Sequence, residues 1–535
     1  MGVVGSSIKN AFRLEMLWFL DTLRLTMLKF HVDHEFKTPQ ERRLHGAHLL
    51  GRDDLPVYGE AKWKNGVIEC KVVEHVATAL CLEVEAGAMG RLMLQTCLLK
   101  QRDEPYLLFL ELARHRIKLY IAKSEEWQLF DPAVAGESLK RWEHARTLFV
   151  RAMNEPEMVK AETFAKDSLV AALDANEQLA LLHADLLVKR RFGYKPSTST
   201  VFGVRIDPRS DIQLCGDSAK ILDVLLVPTP WKLIEPSMGK FHFDEMDRWM
   251  AFASQSKKTI VAGPLLTFDS STLPSWMESY KNDFSACVDR SYSFMEHVVN
   301  RYRGIVTMWN LGSGLHANQH FHFKEEQMMD LTRRASVLAK QSHQGARTLI
   351  ELTEPFCDHV SSRPGALTPW QYLERLSQDG VHFDAVGIQM CFGGVNDGSA
   401  MRDLMQVSAT LDRFLTFDCK VMVSAFGVPS HQNDTTAGWW RTPWNEQVQS
   451  EWARRFVTIA LSKPFVETVI WERLIDHGGD ATGLLFENGK AKSVFAKLLT
   501  IRKILRKPLL LTKPKIQNSK NDVNDETRTG APVVE

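Results

Sequence analysis

"IVTMWNLGSGLH", Ile305–His316, runs from a β-branched apolar stretch through Trp309 and Asn310 into a turn holding Gly312 and Gly314. A short apolar run closed by turn residues reads as a buried strand. Downstream, "EEQMMDLTRRASVLAKQ" carries apolar residues at helical spacing. This strand–helix unit decides the fold because it recurs. Between Val201 and Leu505 eight such runs alternate with amphipathic stretches: "VFGVRI", "DVLLVP", "TIVAGPLL", "IVTMWNLG", "RTLIELT", "FDAVGIQM", "KVMVSAF" and "VETVIWERLID". Near-continuous apolar strands require a sheet covered on both faces. Eight units over roughly 300 residues match a closed (β/α)8 TIM barrel; a doubly wound open sheet is the structural alternative. In such a barrel the chemistry sits at the C-terminal strand ends, which reduces the chain to a few candidate positions.

The flanking sequence divides by period. Residues 1–26 form an N-terminal segment whose apolar residues are interrupted by Glu15, Asp21 and Arg24. That pattern reads as an amphipathic helix, too broken for a signal peptide or a membrane span. Met27 offers a second start that would remove it. Residues 27–132 read as a β-sandwich-like domain, with "GEAKWKNGVIECKVV", "HVATALCLEVEAG", "GRLMLQTCLLK", "PYLLFLELA" and "RIKLYIAK" as its strands. Residues 133–200 read as a helical hairpin followed by the linker "GYKPSTST", residues 201–506 as the barrel, and the polar 507–535 as a disordered tail.

With 66 basic against 65 acidic residues, no overall field favours nucleic acid or an anionic membrane. The eight cysteines are scattered without a CxxC pair, so neither a zinc site nor a disulfide framework is indicated. No pattern asks for a cofactor. A cytoplasmic location is the expectation.

Several barrel segments carry a family signature. "VFG" at Val201, "PWKLIEPSMGKFHFDEMD" with Trp231, Glu235, Pro236 and Gly239, "AGPLLTFDSSTLPSWM", "AVGIQM" with Gln389, and "VIWERLIDHGGDATGLLFENGKAKSVFAKL" stand in order and at suitable spacing. Together they resemble glycoside hydrolase family 10, the endo-β-1,4-xylanase-like barrels. The resemblance implies carbohydrate metabolism: binding or hydrolysis of O-glycosidic bonds in a β-linked, xylan-like glycan.

The family's catalytic pair does not carry over. Its acid/base glutamate closes a fourth-strand Trp-Asp-Val-Val-Asn-Glu, and "WNLGSG" puts Gly314 in that place, with Ser313 for the Asn. Its nucleophile lies in a seventh-strand Thr-Glu-Leu-Asp, and "SAFG" puts Ala425 there. The third-strand histidine falls near Asp269, the sixth-strand one near Cys391 and the second-strand lysine near Pro230. A retaining hydrolase needs two carboxyls about 5–5.5 Å apart. Losing the acid alone costs about 10²–10⁴ in rate. The two-glutamate route is therefore not expected.

Other carboxylates stand at strand ends: Asp269, Glu351, Glu354 and Glu472. A displaced pair, Glu354 with Glu472, would suit an inverting mechanism at about 6.5–9.5 Å; ion pairs or helix caps are the structural alternative. "LHANQHFHF" brings His316, His320 and His322 together in sequence, a candidate metal set set against plain hydrogen-bonding use. Trp439, Trp440 and Trp444 in "TTAGWWRTPWNEQ" are candidates for stacking on sugar rings, with loop packing as the alternative. With Asn310, Gln389, Trp471 and His316 at the mouth, a carbohydrate cleft is expected. The readings to separate are a divergent hydrolase, a non-catalytic binding barrel and a metal-dependent enzyme built on the His316 cluster.

Overall fold

Two sheets, three helices and a ring of eight strands with its own surrounding helices make up the described part of the computed structural model, which covers residues 27–32, 44, 46–72, 76–193, 196, 201–394, 399–432 and 438–507. The segment 1–26, most of "GYKPSTST", the tip of the loop after the sixth barrel run and the tail from 508 lie outside the described residues.

The N-terminal part holds β1 (Met27–His31), β2 (His48–Leu50), β3 (Pro56–Val57), β4 (Gly59–Lys64), β5 (Val67–Val72), β6 (Ala79–Glu85), β7 (Gly90–Gln95) and β8 (Tyr106–Leu107). Alternation sets the buried face: Leu28 and Phe30 of β1 and Ile68, Cys70 and Val72 of β5 are buried, their neighbours less so. One sheet runs β4-β5-β1-β8. Three helices follow: α1 (Leu108–Glu126), α2 (Pro132–Asn154) and α3 (Met158–Phe192). Here the structure corrects an expectation: "PYLLFLELA" supplies only the two-residue β8 before entering α1, and "RIKLYIAK" lies wholly in α1 rather than in a strand. Leu108, Leu112, Arg116, Tyr120 and Ser124 are buried at every fourth position, a helical stripe that the Leu, Ile and Tyr content disguised.

The barrel comprises β9 (Phe202–Arg205), α4 (Ile212–Ile221), β10 (Val224–Val227), α5 (Trp231–Ile234), α6 (Asp244–Gln255), β11 (Thr259–Ala262), α7 (Phe284–Tyr302), β12 (Met308–Ser313), α8 (Glu325–Ser342), β13 (Arg347–Leu352), α9 (Pro369–Gln378), β14 (Ala385–Cys391), α10 (Leu404–Arg413), β15 (Lys420–Gly427), β16 (Trp439–Trp440), α11 (Glu446–Ser462), β17 (Val466–Trp471) and α12 (Ser493–Leu505). Eight parallel strands close in the order β9-β10-β11-β12-β13-β14-β15-β17, and β17 returns to β9 through Val469↔Phe202, Ile470↔Gly203 and Trp471↔Val204. Each of the eight quoted runs supplies one strand. A cluster of barrel-strand residues including Leu226, Val261, Met308, Leu349, Met422 and Ile470 is almost wholly buried. Each such side chain contributes about 1.5–3 kcal/mol on burial. Outside, α7 buries Cys287, Phe294, Met295 and Val298 on one stripe. Thr368 and Gln371 form a capping box over α9, with Pro369 in its first turn.

The N-terminal sheets and the barrel are stitched together. β16, which lies between barrel strands β15 and β17 in the chain, adds to the second N-terminal sheet, ordered β16-β7-β6-β2-β3. Trp439 pairs with Arg91 and Trp440 with Gly90. A Cβ at Gly90 would stand 2.2 Å from the Trp439 carbonyl oxygen, so only glycine admits this strand. Trp440 Nε1 donates to Glu177 of α3 at 2.8 Å, and Arg441 donates to Asp174 and Glu177. Arg116 of α1 pairs with Asp403 at 2.9 Å with both side chains wholly buried, while Asp403 also caps α10. No described helix is long and apolar enough to cross a membrane.

Breaking a buried pair from one side strands a charge, whereas removing both partners together does not. Asp403→Ala should therefore lower unfolding free energy by about 3–5 kcal/mol. Arg116→Met combined with Asp403→Leu should lose less, as read by urea titration of the full chain.

Candidate functional site

The C-terminal strand ends place a polar layer above the apolar plug. Arg205 at the end of β9 reaches across to Glu351 on β13, Nη2 to Oε1 at 2.7 Å. Asn310 of β12 donates to the other carboxylate oxygen at 3.2 Å. Gln389 of β14 donates to Ser313 Oγ at 3.3 Å, and Ser313, Ser424 and Gln389 also hydrogen-bond the Glu351 carboxylate. Burial alone would push that carboxyl up, but Arg205 and these donors outweigh it and hold Glu351 below the ordinary range. It is a fixed anion, committed to its cation.

Two clefts open above this layer. One, about 230 Å³, is lined by Arg205, Thr229, Asp269, Ser313, Gly314 and Gln389 among others. The second, about 550 Å³, is lined by Arg205, Asp207, Arg209, Lys232, Glu472 and Arg473, with Ile206, Pro208, Pro228, Pro230 and Leu233 as apolar wall. Arg205, Pro228 and Pro230 belong to both, so the two are halves of one mouth.

Gly314 sits at the edge of the smaller cleft with φ +65°, a left-handed conformation. A Cβ there would meet Thr353 Oγ1 at 2.9 Å. The backbone is shaped for glycine, and any side chain would be strained. Ala425 on β15 is buried and stands opposite Gln389, just past a register shift in the β14–β15 pairing.

The substitute carboxylates separate. Glu354, itself at positive φ, is held by Arg363 at 2.6 Å and faces His359 Nδ1 at 3.6 Å, and it lines neither cleft. Glu472 does line the larger cleft, hydrogen-bonded with Cys391 and Thr482. The expected partnership of Glu354 with Glu472 is thus corrected: one is tied into an Arg–His cluster, the other faces the cleft. Burial, aided by Asp480, pushes the Glu472 carboxyl upward. Gly427 leaves the room Glu472 occupies, since a Cβ there would lie 2.5 Å from Oε1. Asp269 lines the smaller cleft, but its carboxylate accepts from Ser271 N at 2.6 Å within its own turn.

The histidines do not converge. His316 is wholly buried, with Nε2 donating to the Thr353 carbonyl at 3.0 Å. Burial, with His359 and Arg363 adding to it, pushes its pKa down to about 3, so the ring is neutral. His320 pairs instead with Glu278, and His322 is exposed. Among the described residues no group of three or more His, Cys, Asp or Glu is placed to hold a metal ion.

The tryptophans are corrected as well. Trp440 and Trp444 are 2% and 3% exposed, and Trp444 Nε1 donates to the Gly438 carbonyl. Trp439 and Trp440 form β16 at the junction with the N-terminal sheet, and Trp444 is packed beside Gly393, so neither Trp440 nor Trp444 is offered as a sugar platform. Trp471 is fully buried, its Nε1 donating to Thr482 O at 2.6 Å and its ring edge-on to Phe426. Burial won for Trp440, Trp444 and Trp471, because each of these indoles has an acceptor within reach. The cations Arg205, Lys232 and Arg473 escaped the sequence reading; an arginine closing the apolar run "VFGVRI" was the available signal.

Two outcomes follow for stability. Gly314→Ala should cost about 1–2 kcal/mol from the left-handed backbone alone, and Gly314→Glu more, read by thermal unfolding. Glu351 has a depressed folded pKa, so its contribution is complete above the unfolded value of 4.5 and is lost as pH falls through the folded one. Glu351→Gln should lower the melting temperature at neutral pH and flatten its acid limb.

Comparison with known proteins places this geometry. Residues 228–477 match the family model described as Glycosyl hydrolase family 10. No curated protein matches the chain. Among solved structures, xylanase 10B from Thermotoga petrophila RKU-1 in complex with xylobiose aligns at 14% identity over 60% of this chain and 97% of that one, TM-score 0.45. Native xylanase 10B from Thermotoga maritima aligns at 15% identity over 59% and 97%, TM-score 0.45. GH10 from Paenibacillus barcinonensis aligns at 16% identity over 59% and 100%, TM-score 0.44. The family match, residues 228–477, falls within the closed ring of eight parallel strands, so the barrel is similar in sequence to the glycosyl hydrolase family 10 domain.

Proposed function

We propose that the barrel mouth binds a saccharide from a β-linked glycan and does not cleave it by the retaining two-carboxylate route. The observation that carries this reading is Gly314. The position matched to the family's acid/base glutamate has a left-handed backbone and a threonine hydroxyl 2.9 Å from where a Cβ would begin. A carboxylate side chain placed there would be strained and would have to displace Thr353. Ala425, matched to the nucleophile, offers no group that can attack an anomeric carbon. Nearby Glu351 is neutralised by Arg205 and kept anionic, so it neither donates a proton nor stands free to attack.

What remains suits binding. Gln389, Ser313 and Thr229 present amide and hydroxyl groups to the smaller cleft, and Pro228, Pro230 and Leu233 give the larger one an apolar wall for a pyranose face.

A second reading keeps hydrolysis alive through Glu472, whose raised proton affinity at the cleft wall is what a general acid needs. An inverting reaction would still require a base about 6.5–9.5 Å away. The two readings separate on reducing-end release from xylan and β-glucan oligosaccharides together with calorimetric binding of the same compounds. Binding without release is the expected result. Release that disappears in Glu472→Gln would replace it with the relocated-acid enzyme.

A further inference from the structure

The larger half of the mouth is charged in a way the chain as a whole is not. The protein carries 66 basic and 65 acidic residues. Yet the 550 Å³ cleft is lined by Arg205, Arg209, Lys232 and Arg473 against only Asp207 and Glu472. The four cations differ in how far they are spent. Arg209 is locked bidentate onto Asp207 at 3.1 and 3.2 Å. Arg473 gives one nitrogen to Asp480 at 3.0 Å. Arg205 gives one to Glu351, and its Nε is buried without a hydrogen-bond partner. Lys232 is exposed on α5 and makes no ion pair among the described residues.

The acids of the lining do not cancel this. Asp207 is consumed by Arg209. Glu472 is half-buried and is hydrogen-bonded with Cys391 and Thr482. Three cations that retain donor capacity therefore line a cleft that also holds Pro208, Pro228, Pro230 and Leu233. A neutral saccharide uses that field only in part, because a hydroxyl accepts one charge-assisted bond whereas a carboxylate or phosphate adds its own charge and can bind bidentately. Low-dielectric walls concentrate the field on a bound anion.

Resting on the reading of the mouth as a saccharide cleft, we propose that it selects anionic saccharides, with a carboxylate or phosphate substituent held among Arg205, Lys232 and Arg473. The ring packs against Pro228, Pro230 and Leu233, and the charged substituent is directed toward Lys232.

Titration calorimetry on the full-length protein tests this with four probes: xylotetraose, trigalacturonate, a hexose 6-phosphate and inorganic phosphate. At low salt, trigalacturonate or the sugar phosphate should bind at least about tenfold tighter than xylotetraose, a difference set by the charge-assisted contacts. That advantage should shrink as NaCl rises to about 0.5 M, where the Debye length falls to a few ångströms. Lys232→Gln, an exposed change that leaves the melting temperature alone, should remove most of the preference while sparing xylotetraose binding. The trigalacturonate and hexose phosphate arms tell carboxylate from phosphate.

Xylotetraose binding as tightly as the anions, or anion binding indifferent to Lys232→Gln, overturns charge selection but leaves the saccharide cleft standing. Inorganic phosphate binding as tightly as the sugar phosphate overturns the saccharide part. No binding of any saccharide overturns both this inference and the cleft reading beneath it.

Discussion

The ion pair between Arg205 and Glu351 organises the upper half of the barrel. Lower down, the strands fill their own ring with apolar side chains and need no further instruction. Above that plug the interior must be wetted or neutralised, because an isolated charge in such a place is prohibitively costly. A guanidinium from the first strand and a carboxylate from the fifth meet across the ring at 2.7 Å, and Asn310, Ser313, Gln389 and Ser424 fall in around the carboxylate. The arrangement fixes which groups are left to face the mouth. It leaves cations and hydroxyls, and takes the most central acid out of chemical use.

Gly314 and Glu351 express the same change from opposite directions. A retaining glycosidase needs two carboxyls about 5–5.5 Å apart, one of which gives up and takes back a proton. Here the strand turns through a glycine into a left-handed residue, while the neighbouring acid is clamped as an anion. Glu472 alone among the candidate acids combines access to the cleft with a raised affinity for its proton.

Much of the architecture was legible because it depends on period. Each of the eight apolar runs became a strand, and the positions matched to family strand ends, such as Gln389, Asp269 and Gly314, do line the mouth. What escaped depended on partners distant in sequence. "PYLLFLELA" and "RIKLYIAK" hold strand-forming residues, and only the neighbours of Leu108, Leu112 and Tyr120 reveal the helix. Trp440 looks like a sugar platform until Glu177, far upstream, claims its indole N–H. Glu354 looks free until Arg363 closes on it. Residue type and spacing carry no information about such claims.

The two-residue strand Trp439–Trp440 has a consequence for how the molecule can be divided. It leaves the barrel between β15 and β17 and finishes a sheet that belongs to the N-terminal part, entering through the gap only Gly90 provides. A barrel expressed alone would carry an unsatisfied strand edge, a bare indole and the orphaned guanidinium of Arg441 on its flank. The seventh strand-to-helix loop, which in most barrels drifts freely as binding preferences change, is here moored at a distance from the mouth. A shift of the N-terminal sheet is thereby carried directly into the segment that joins the seventh and eighth barrel strands.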